Sequence, residues 1–344
     1  VFTAELVARV RATDEREMLE CLSGELDRRH RLVRAQSIAR IEGRLLSRYR
    51  FRHILFQNYL YDSLDEVERV HLHGQVGTAL EELYGASEEG AASADIASIA
   101  PQLALHFQEA RIARKAIHYL HQAGERAIRM SAYQEAIAHY TRGLALLSSQ
   151  PESPSREEQE LALQIALGIP WKGRMPDPEG EKALTRAREL CERTGNKSQL
   201  GRVVGELAVF PYVRAEHGKA RELGEEALST AAQGKDPLLS AVAHWHLGYV
   251  SFALGEHAVA RDHLQQVISF YRPRTHHQPF VYMRGSDAGV SALAYDACCL
   301  WCLGYPDQAL QRSREAVALA RELDHTFSLI DVLCFAGCLF HGLR

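Results

Sequence analysis

No stretch of this chain stays apolar for the ~20 residues that a membrane-crossing helix needs. The first residues, Val1-Phe2-Thr3-Ala4-Glu5, read as folded sequence and not as a secretory leader. Without an initiator methionine, the chain is expected to be cut from a longer polypeptide, inside a domain. A phosphate-binding loop is missing: neither G-x-x-x-x-G-K-[ST] nor G-x-G-x-x-G occurs in a strand-to-helix setting. A nucleophile elbow and a His-Glu-x-x-His motif are missing too, so the chain is expected to have no catalytic residue and not to be an enzyme by itself. Charge of one sign is scarce, with a net −4 over 344 residues and a pI near 6.5, which argues against a polyanion binder as a whole. The seven cysteines are odd in number and unevenly spread, five of them from Cys298 onward, which argues against a secreted disulfide framework and for a reducing cytoplasm.

Strand signals are nearly absent, and apolar residues instead recur at three and four, as in Ala136, Ile137, Tyr140, Leu144 and Leu147. Small residues reveal an internal repeat. Gly124, Gly168, Ala208, Gly248, Ala297 and Gly337 are spaced by 44, 40, 40, 49 and 40 residues. Twelve positions after the first five of these anchors stand Ala136, Gly180, Ala220, Ala260 and Ala309; nineteen positions after them stand Gly143, Ala187, Ala227, Val267 and Ala316. Two antiparallel helices need small residues where their backbones approach, and pairs that cannot bury an apolar face alone stack into an array. The turn sequences Leu254-Gly255-Glu256-His257 and Leu303-Gly304-Tyr305-Pro306-Asp307 fall between the helices. Gly224 and Asp296 occupy positions where an apolar residue is usual, so the repeats are degenerate. The competing reading is a generic helical bundle rich in alanine. The 49-residue spacing predicts an insertion at 271–289, and Gly85–Asp95 and Ser148–Arg156 read as linker and exposed loop.

At the front, residues 4–11 and 14–30 read as two helices, the second capped by Asp14, and 31–34 with 48–51 as a short hairpin. There follows the string Tyr49-x-Phe51-x-His53-x-Leu55-x-Gln57-x-x-Leu60-Tyr61-x-x-Leu64, then Arg69, Leu72-His73 and Leu80-Glu81. Near the other end stand Gly285-Ser-Asp-Ala-Gly-Val290, Leu300-Trp-Cys-Leu-Gly-Tyr-Pro-Asp-Gln-Ala309 and Ala318-Leu-Ala-Arg-Glu-Leu-Asp-His-Thr-Phe-Ser328. The repeats resemble long tetratricopeptide repeats. Together with the front string, they resemble the end of a winged-helix domain and the C-terminal repeats of large bacterial AAA/STAND signalling ATPases, which are cyclase- or kinase-fused or are LuxR-type regulators. Ala288 stands where that group has proline. The fold class implied is all-α: a tetratricopeptide-like helical-repeat superhelix behind a partial winged-helix-like segment. The expected domains are 1–56 (winged-helix-like), 57–95 (exit helix and linker) and 96–344 (about five to six helix pairs).

The resemblance places His53, with Arg50 and Arg52 beside it, where such ATPases sense the phosphates of a bound nucleotide. ATP or ADP with Mg would then belong to the longer parent protein, and no cofactor is expected in this chain. The basic front also permits a DNA-binding reading, since residues 1–56 carry four more basic than acidic side chains. Against it, the second helix bears Glu15, Glu17, Glu20, Glu25 and Asp27, which would repel phosphate.

By helical period, offsets −3, +1, +4 and +5 from each anchor line the concave face of the array. They give Val209, Tyr212 and Val213 in the third repeat, Trp245, Tyr249 and Phe252 in the fourth, Cys298 and Trp301 in the fifth, and Cys334, Cys338 and His341 in the sixth. This apolar, aromatic groove is expected to hold a protein, a peptide or a small-molecule effector, the alternative being that the chain's own end fills it. A Lys/Asn/Arg clamp for a chaperone's C-terminal carboxylate is missing from these positions. Cys298, Cys302, Cys334 and Cys338, at i, i+4 on two helices, could bind zinc with His341 nearby, but the pattern favours packing, and no metal is expected. His276-His277 offers a weaker metal pair. The expected function is a regulatory sensor module of a cytoplasmic signalling ATPase, with the upstream ATPase domain of the same chain as its internal partner and no membrane. The alternatives are a passive scaffold and a DNA-binding regulator.

Overall fold

The structure is a computed structural model and describes residues 1–41, 44–85, 94–130, 132–172, 178–284 and 286–337. Cys338 and His341 lie outside the described residues. The chain forms two compact units, Val1–Arg156 and Glu157–Arg344.

The first unit opens with a small sheet. β1 (Phe2–Thr3), β3 (Arg44–Phe51) and β2 (Val33–Ile41) lie in the order β1-β3-β2, all antiparallel, with a bulge between Ala35 and Ser37. α1 (Ala4–Arg11) starts on the Thr3 hydroxyl, which accepts from Leu6 N–H, and α2 (Glu15–Glu20) starts on Asp14, which accepts from Arg16 and Glu17. α2 continues as a wider, π-type helix over Cys21–Arg29, so the span predicted as one helix is continuous but changes pitch at Cys21. Ala4, Ala8, Met18, Leu22, Val33 and Tyr49 form the core between these helices and the sheet. The Glu5 carboxylate accepts from the Ser47 backbone N–H, and the Tyr49 and Ser23 hydroxyls bond at 2.7 Å.

The hairpin is longer than the sequence reading expected. Its outer part buries one apolar side chain, Leu46, while Ile38 is 70% and Leu45 59% exposed, so no regular apolar alternation announces the strands. α3 (Ile54–Asp62) and α4 (Glu66–Leu83, with an Asp65/Glu68 capping box) follow, then α5 (Ala94–Glu109), α6 (Ala113–Arg129) and α7 (Tyr133–Ser148). Leu80, Leu83, Leu103, Phe107 and Tyr119 make the core of α4–α6. Glu81 is buried there and is held by Lys115 Nζ at 2.6 Å and the Tyr119 hydroxyl at 2.8 Å.

The second unit contains α8 (Pro154–Lys172, whose first turn belongs to the first unit), α9 (Pro178–Thr194), α10 (Lys197–Leu207), α11 (Val209–Val213), α12 (His217–Gly234), α13 (Pro237–Ala253) and α14 (His257–Phe270). α15 (Pro273–Arg284), α16 (Ala288–Cys302), α17 (Pro306–Glu322) and α18 (Thr326–Val332) complete it, with a last π-type turn at Leu333–Gly337. α15 is the predicted insertion. It packs through Phe280, which is fully buried against the Tyr271 ring, and through His277, whose Nδ1 lies 2.9 Å from the buried Asp287 carboxylate.

The small-residue repeat has a direct packing cause. A Cβ on Gly124 would lie 2.3 Å from the ring of Tyr140, one on Gly168 2.6 Å from Leu184, and one on Gly248 2.9 Å from Leu264. Each large residue stands sixteen positions after its glycine, on the partner helix, so a large side chain fills the space that the glycine leaves. The +12 and +19 positions are buried in all five pairs. In the third pair the roles are exchanged: the +16 residue is Gly224, and Leu247 of the next helix occupies its space. Asp296, the other irregular position, is fully buried and accepts from Arg261 (3.2 Å), Gln265 (3.0 Å) and Arg312 (2.9 Å). Among the described residues, no helix is long and apolar enough to cross a membrane.

Candidate binding pocket

The first helices of successive pairs bring aromatic side chains to one face of the second unit. Trp245 and Tyr249, one turn apart on α13, stack with ring centroids 5.0 Å apart. Tyr212 on α11 lies 4.1 Å from Tyr249, and Tyr295 on α16 meets Tyr249 edge-on at 4.8 Å. Phe252 meets Tyr295 at 5.4 Å. Burial first, then the neighbouring Tyr249 phenol, push the Tyr212 and Tyr295 phenol pKa values well above the ordinary tyrosine range, so both stay neutral.

A cavity of ≈250 Å³ opens at one end of this cluster. Val209, Tyr212, Val213, Trp245 and Tyr249, all placed on the groove by sequence offset, line it with Glu206, Ala208, His246, Val250 and Phe327. The sequence reading missed Glu206, His246 and Phe327. Glu206 and His246, like Tyr295, stand two positions before their anchors, so offset −2 carries the signal that would have found them. Phe327 comes from α18, and nothing local marks it as a wall of a pocket built from α10–α13.

The far end of the same face is arranged differently. Phe335, in the last turn, packs on Tyr295 at 5.2 Å, and the Cys298 thiol donates to the Phe335 carbonyl at 3.8 Å. Cys298 is therefore covered by the chain's own end, and burial pushes its thiol up to about 11. Trp301, Cys302 and Cys334 are exposed. Among the described residues, no three His, Cys, Asp or Glu side chains are grouped as a metal would need.

The residues assigned to nucleotide sensing lie in the first unit. His53 caps α3: its Nδ1 accepts from Leu55 N–H at 3.2 Å, and the residue is exposed. Arg52 is bound to Asp27 at 2.6 Å and donates to the Val33 carbonyl at 2.9 Å, while Arg50 points to solvent from β3 opposite Arg34. The Arg52 guanidinium holds the Asp27 carboxyl below the usual carboxylate range. α3 itself is exposed along its length, with Ile54, Leu55, Phe56, Tyr59, Leu60 and Tyr61 all facing solvent. A second cleft, ≈630 Å³, lies beside α1 and α4, with Arg9 and Glu82 paired in its wall.

No protein-family model matches the chain. An uncharacterised protein of Rhizobium meliloti (strain 1021) is 25% identical over 301 residues, which are 84% of this chain and 27% of that protein. The chain thus spans about a quarter of the curated relative it matches. Among solved structures, a Rap protein complexed with competence and sporulation factor superposes on 81% of this chain and 73% of its own, at TM-score 0.57 and 13% identity. The Rap conjugation regulator of plasmid pLS20, in complex with the Phr* peptide, covers 79% and 69%, at TM-score 0.53 and 15% identity. A STAND protein with a tetratricopeptide-repeat sensor from Pyrococcus horikoshii covers 97% and 57%, at TM-score 0.48 and 11% identity.

The fold is that of the tetratricopeptide-like repeat proteins. Within it, the aromatic pocket stands on the face where successive repeats present their first helices.

Proposed function

We propose that this chain is the ligand-sensing repeat module of a larger cytoplasmic signalling ATPase and that its aromatic pocket binds a peptide segment. The observation that carries this reading is the pocket itself: one tryptophan and two tyrosines, from two successive repeats, converge on a cavity with Phe327 of α18 in its wall. One of the two Rap structures supports the choice of a peptide, because that similar fold holds the Phr* peptide. The expected partner of the module is the ATPase domain upstream, which would hold ATP or ADP with Mg. Ligand binding would bias two packings of module against ATPase and so alter nucleotide turnover or assembly.

Peptides selected on the purified chain from a phage-displayed library test the pocket. Val213→Arg puts a long side chain at the mouth, at a position 45% exposed, and is expected to leave the melting curve unchanged. Selected peptides should bind this variant at least ~30-fold more weakly, as loss of a contact worth about 2 kcal/mol implies. Equal binding to wild type and variant would show that the pocket is not the site.

The exposed apolar length of α3 supports a second contact in the same reading, with the upstream domain. Leu55→Ser with Tyr59→Ser removes apolar groups that touch solvent, so urea stability should move by less than ~0.5 kcal/mol. In the longer polypeptide, the same pair should uncouple ATP turnover from peptide addition. Turnover that still responds to peptide would rule out α3 as the relay. The passive-scaffold alternative predicts no response of turnover to peptide in either form.

A further inference from the structure

We infer that the β2–β3 hairpin binds the phosphate backbone of double-stranded DNA. This surface lies in the first unit and does not involve the aromatic pocket. Charge is the first observation. Residues 31–52 hold seven arginines, no lysine and one acid, Glu42, a surplus of six positive charges. The rest of the chain holds 33 basic and 43 acidic side chains, a deficit of ten. The small net charge of the whole chain therefore conceals one concentrated basic element.

Geometry is the second. Val33 and Tyr49 turn into the core, so Arg34, Arg48 and Arg50 stand on the opposite side of their strands, and all three are exposed. Arg34 and Arg50 are direct cross-strand partners, about 5 Å apart at Cβ, and Arg48 is two residues along β3, about 7 Å away. Like charges directly opposite each other destabilise a ladder. Among the described residues, no carboxylate is paired with any of the three: Asp27, whose carboxyl feels Arg34, is bound to Arg52. A guanidinium fork meets a phosphate with two donors at once, and an aligned set of three forms a clamp for neighbouring phosphates. The acids before the hairpin oppose this less than their number implies. Glu20 is paired with Arg16, Glu25 with Arg29 and Asp27 with Arg52, so three of the five acids that would repel phosphate have internal partners.

The same face discriminates among polyanions. A protein–protein interface has apolar groups at its centre and charge at its rim, whereas here the charge is central. An anionic membrane takes basic and apolar groups from one side. Exposed Ile38 and Leu45 instead share, by register, the side of Tyr49, opposite to the arginines. Single-stranded nucleic acid is held by stacking on aromatic side chains, and the aromatics of the hairpin, Tyr49 and Phe51, pack in the core. The major groove of B-form DNA, ~12 Å wide, admits a two-stranded ribbon, and that of duplex RNA is too narrow.

The test is fluorescence polarisation of a labelled mixed-sequence DNA duplex with the full chain, in potassium chloride from ~50 to ~200 mM. Counterion release from three phosphates gives a slope of log K against log salt near −2.7, so binding should weaken about 40-fold across that range. Arg34→Thr with Arg50→Thr should bring the slope to about −0.9 and the weakening to about 3.5-fold. That variant relieves a repulsion between exposed side chains, so its melting temperature should not fall below that of the wild type. Arg129→Gln with Arg142→Gln removes the same charge from exposed sites on α6 and α7 and should keep the wild-type slope. Duplex binding that is absent at ~50 mM, or that the hairpin variant leaves unchanged, would overturn the inference. An equal loss in the α6–α7 control would reduce the effect to net charge and overturn it too. Duplex RNA bound as tightly as DNA, or displacement of the duplex by polyglutamate or by phosphatidylserine vesicles at equal charge, would overturn the choice of DNA. Displacement by MgATP beyond the effect of chloride at equal ionic strength would assign the arginines to a nucleotide instead.

Discussion

Gly124→Ala is expected to destabilise the protein, although glycine to alanine inside a helix ordinarily stabilises. In a helix with free space, alanine gains up to about 1 kcal/mol over glycine. At Gly124 the new Cβ would stand 2.3 Å from Cε1 and 2.5 Å from Cζ of Tyr140, a ring that is almost completely buried and has no room to retreat. Overpacking of this kind costs about 1–3 kcal/mol, more than the helical gain, so the net sign is a loss. Gly218, exposed on α12 with nothing within 4 Å of its Cβ position, is the internal control: Gly218→Ala should gain a few tenths of a kcal/mol. Urea denaturation of Gly124→Ala, Tyr140→Leu and the double variant should give a coupling of at least ~0.5 kcal/mol in the sense of rescue, because leucine leaves room for the added methyl. Additive losses, or a gain from Gly124→Ala alone, would mean that this glycine does not serve close packing.

That pairing explains how much of the fold was legible in the sequence. Small residues recurring near every 40 positions are visible by inspection, and their +12 and +19 companions are buried in every described pair. The large residue at +16 completes the contact, but it changes from Tyr140 to Leu184 to Leu264 and is replaced by Gly224 in the third pair, so identity does not mark it. The hairpin was legible only at its base, where Val33 and Tyr49 reach the core. Its outer half buries Leu46 alone, beside exposed Ile38 and Leu45, which is too little to give a readable alternation.

The pocket was legible in part for a related reason. Helical period put Val209, Tyr212, Trp245 and Tyr249 on one face, and the cavity has all four in its wall. Glu206 and His246, one position inside the chosen stripe, look from periodicity like core positions. Phe327 belongs to an element more than seventy residues further on, and chain-end coverage of Cys298 by the 333–337 turn is a tertiary fact with no local trace. The same limit applied at the first unit, where burial of Phe107 against Gly77 ties α4 to α5 across a segment that reads as a linker.

Asp296→Ala is expected to cost about 3 kcal/mol, the low end for breaking a buried ion pair by removing one partner. Asp296 is completely buried on α16, and its two oxygens accept from Arg261 and Gln265 of α14 and from Arg312 of α17. The loss therefore falls at the joint between two repeats, where an ordinary repeat would place a leucine. The arginines keep partial access to water, at 36% and 27% side-chain exposure, which is why the low end of the range applies. Charge itself is not required for packing. Replacing the three charged residues together, Asp296→Leu with Arg261→Met and Arg312→Met, should recover most of the loss, since apolar side chains of similar volume fill such sites at least as well. Urea titration followed by circular dichroism reads both arms. A single variant that loses less than ~0.5 kcal/mol would show the cluster to be a solvated surface network of the kind that contributes little. A triple variant as unstable as the single one would show instead that the carboxylate orients α14 against α17 in a way that apolar packing cannot supply.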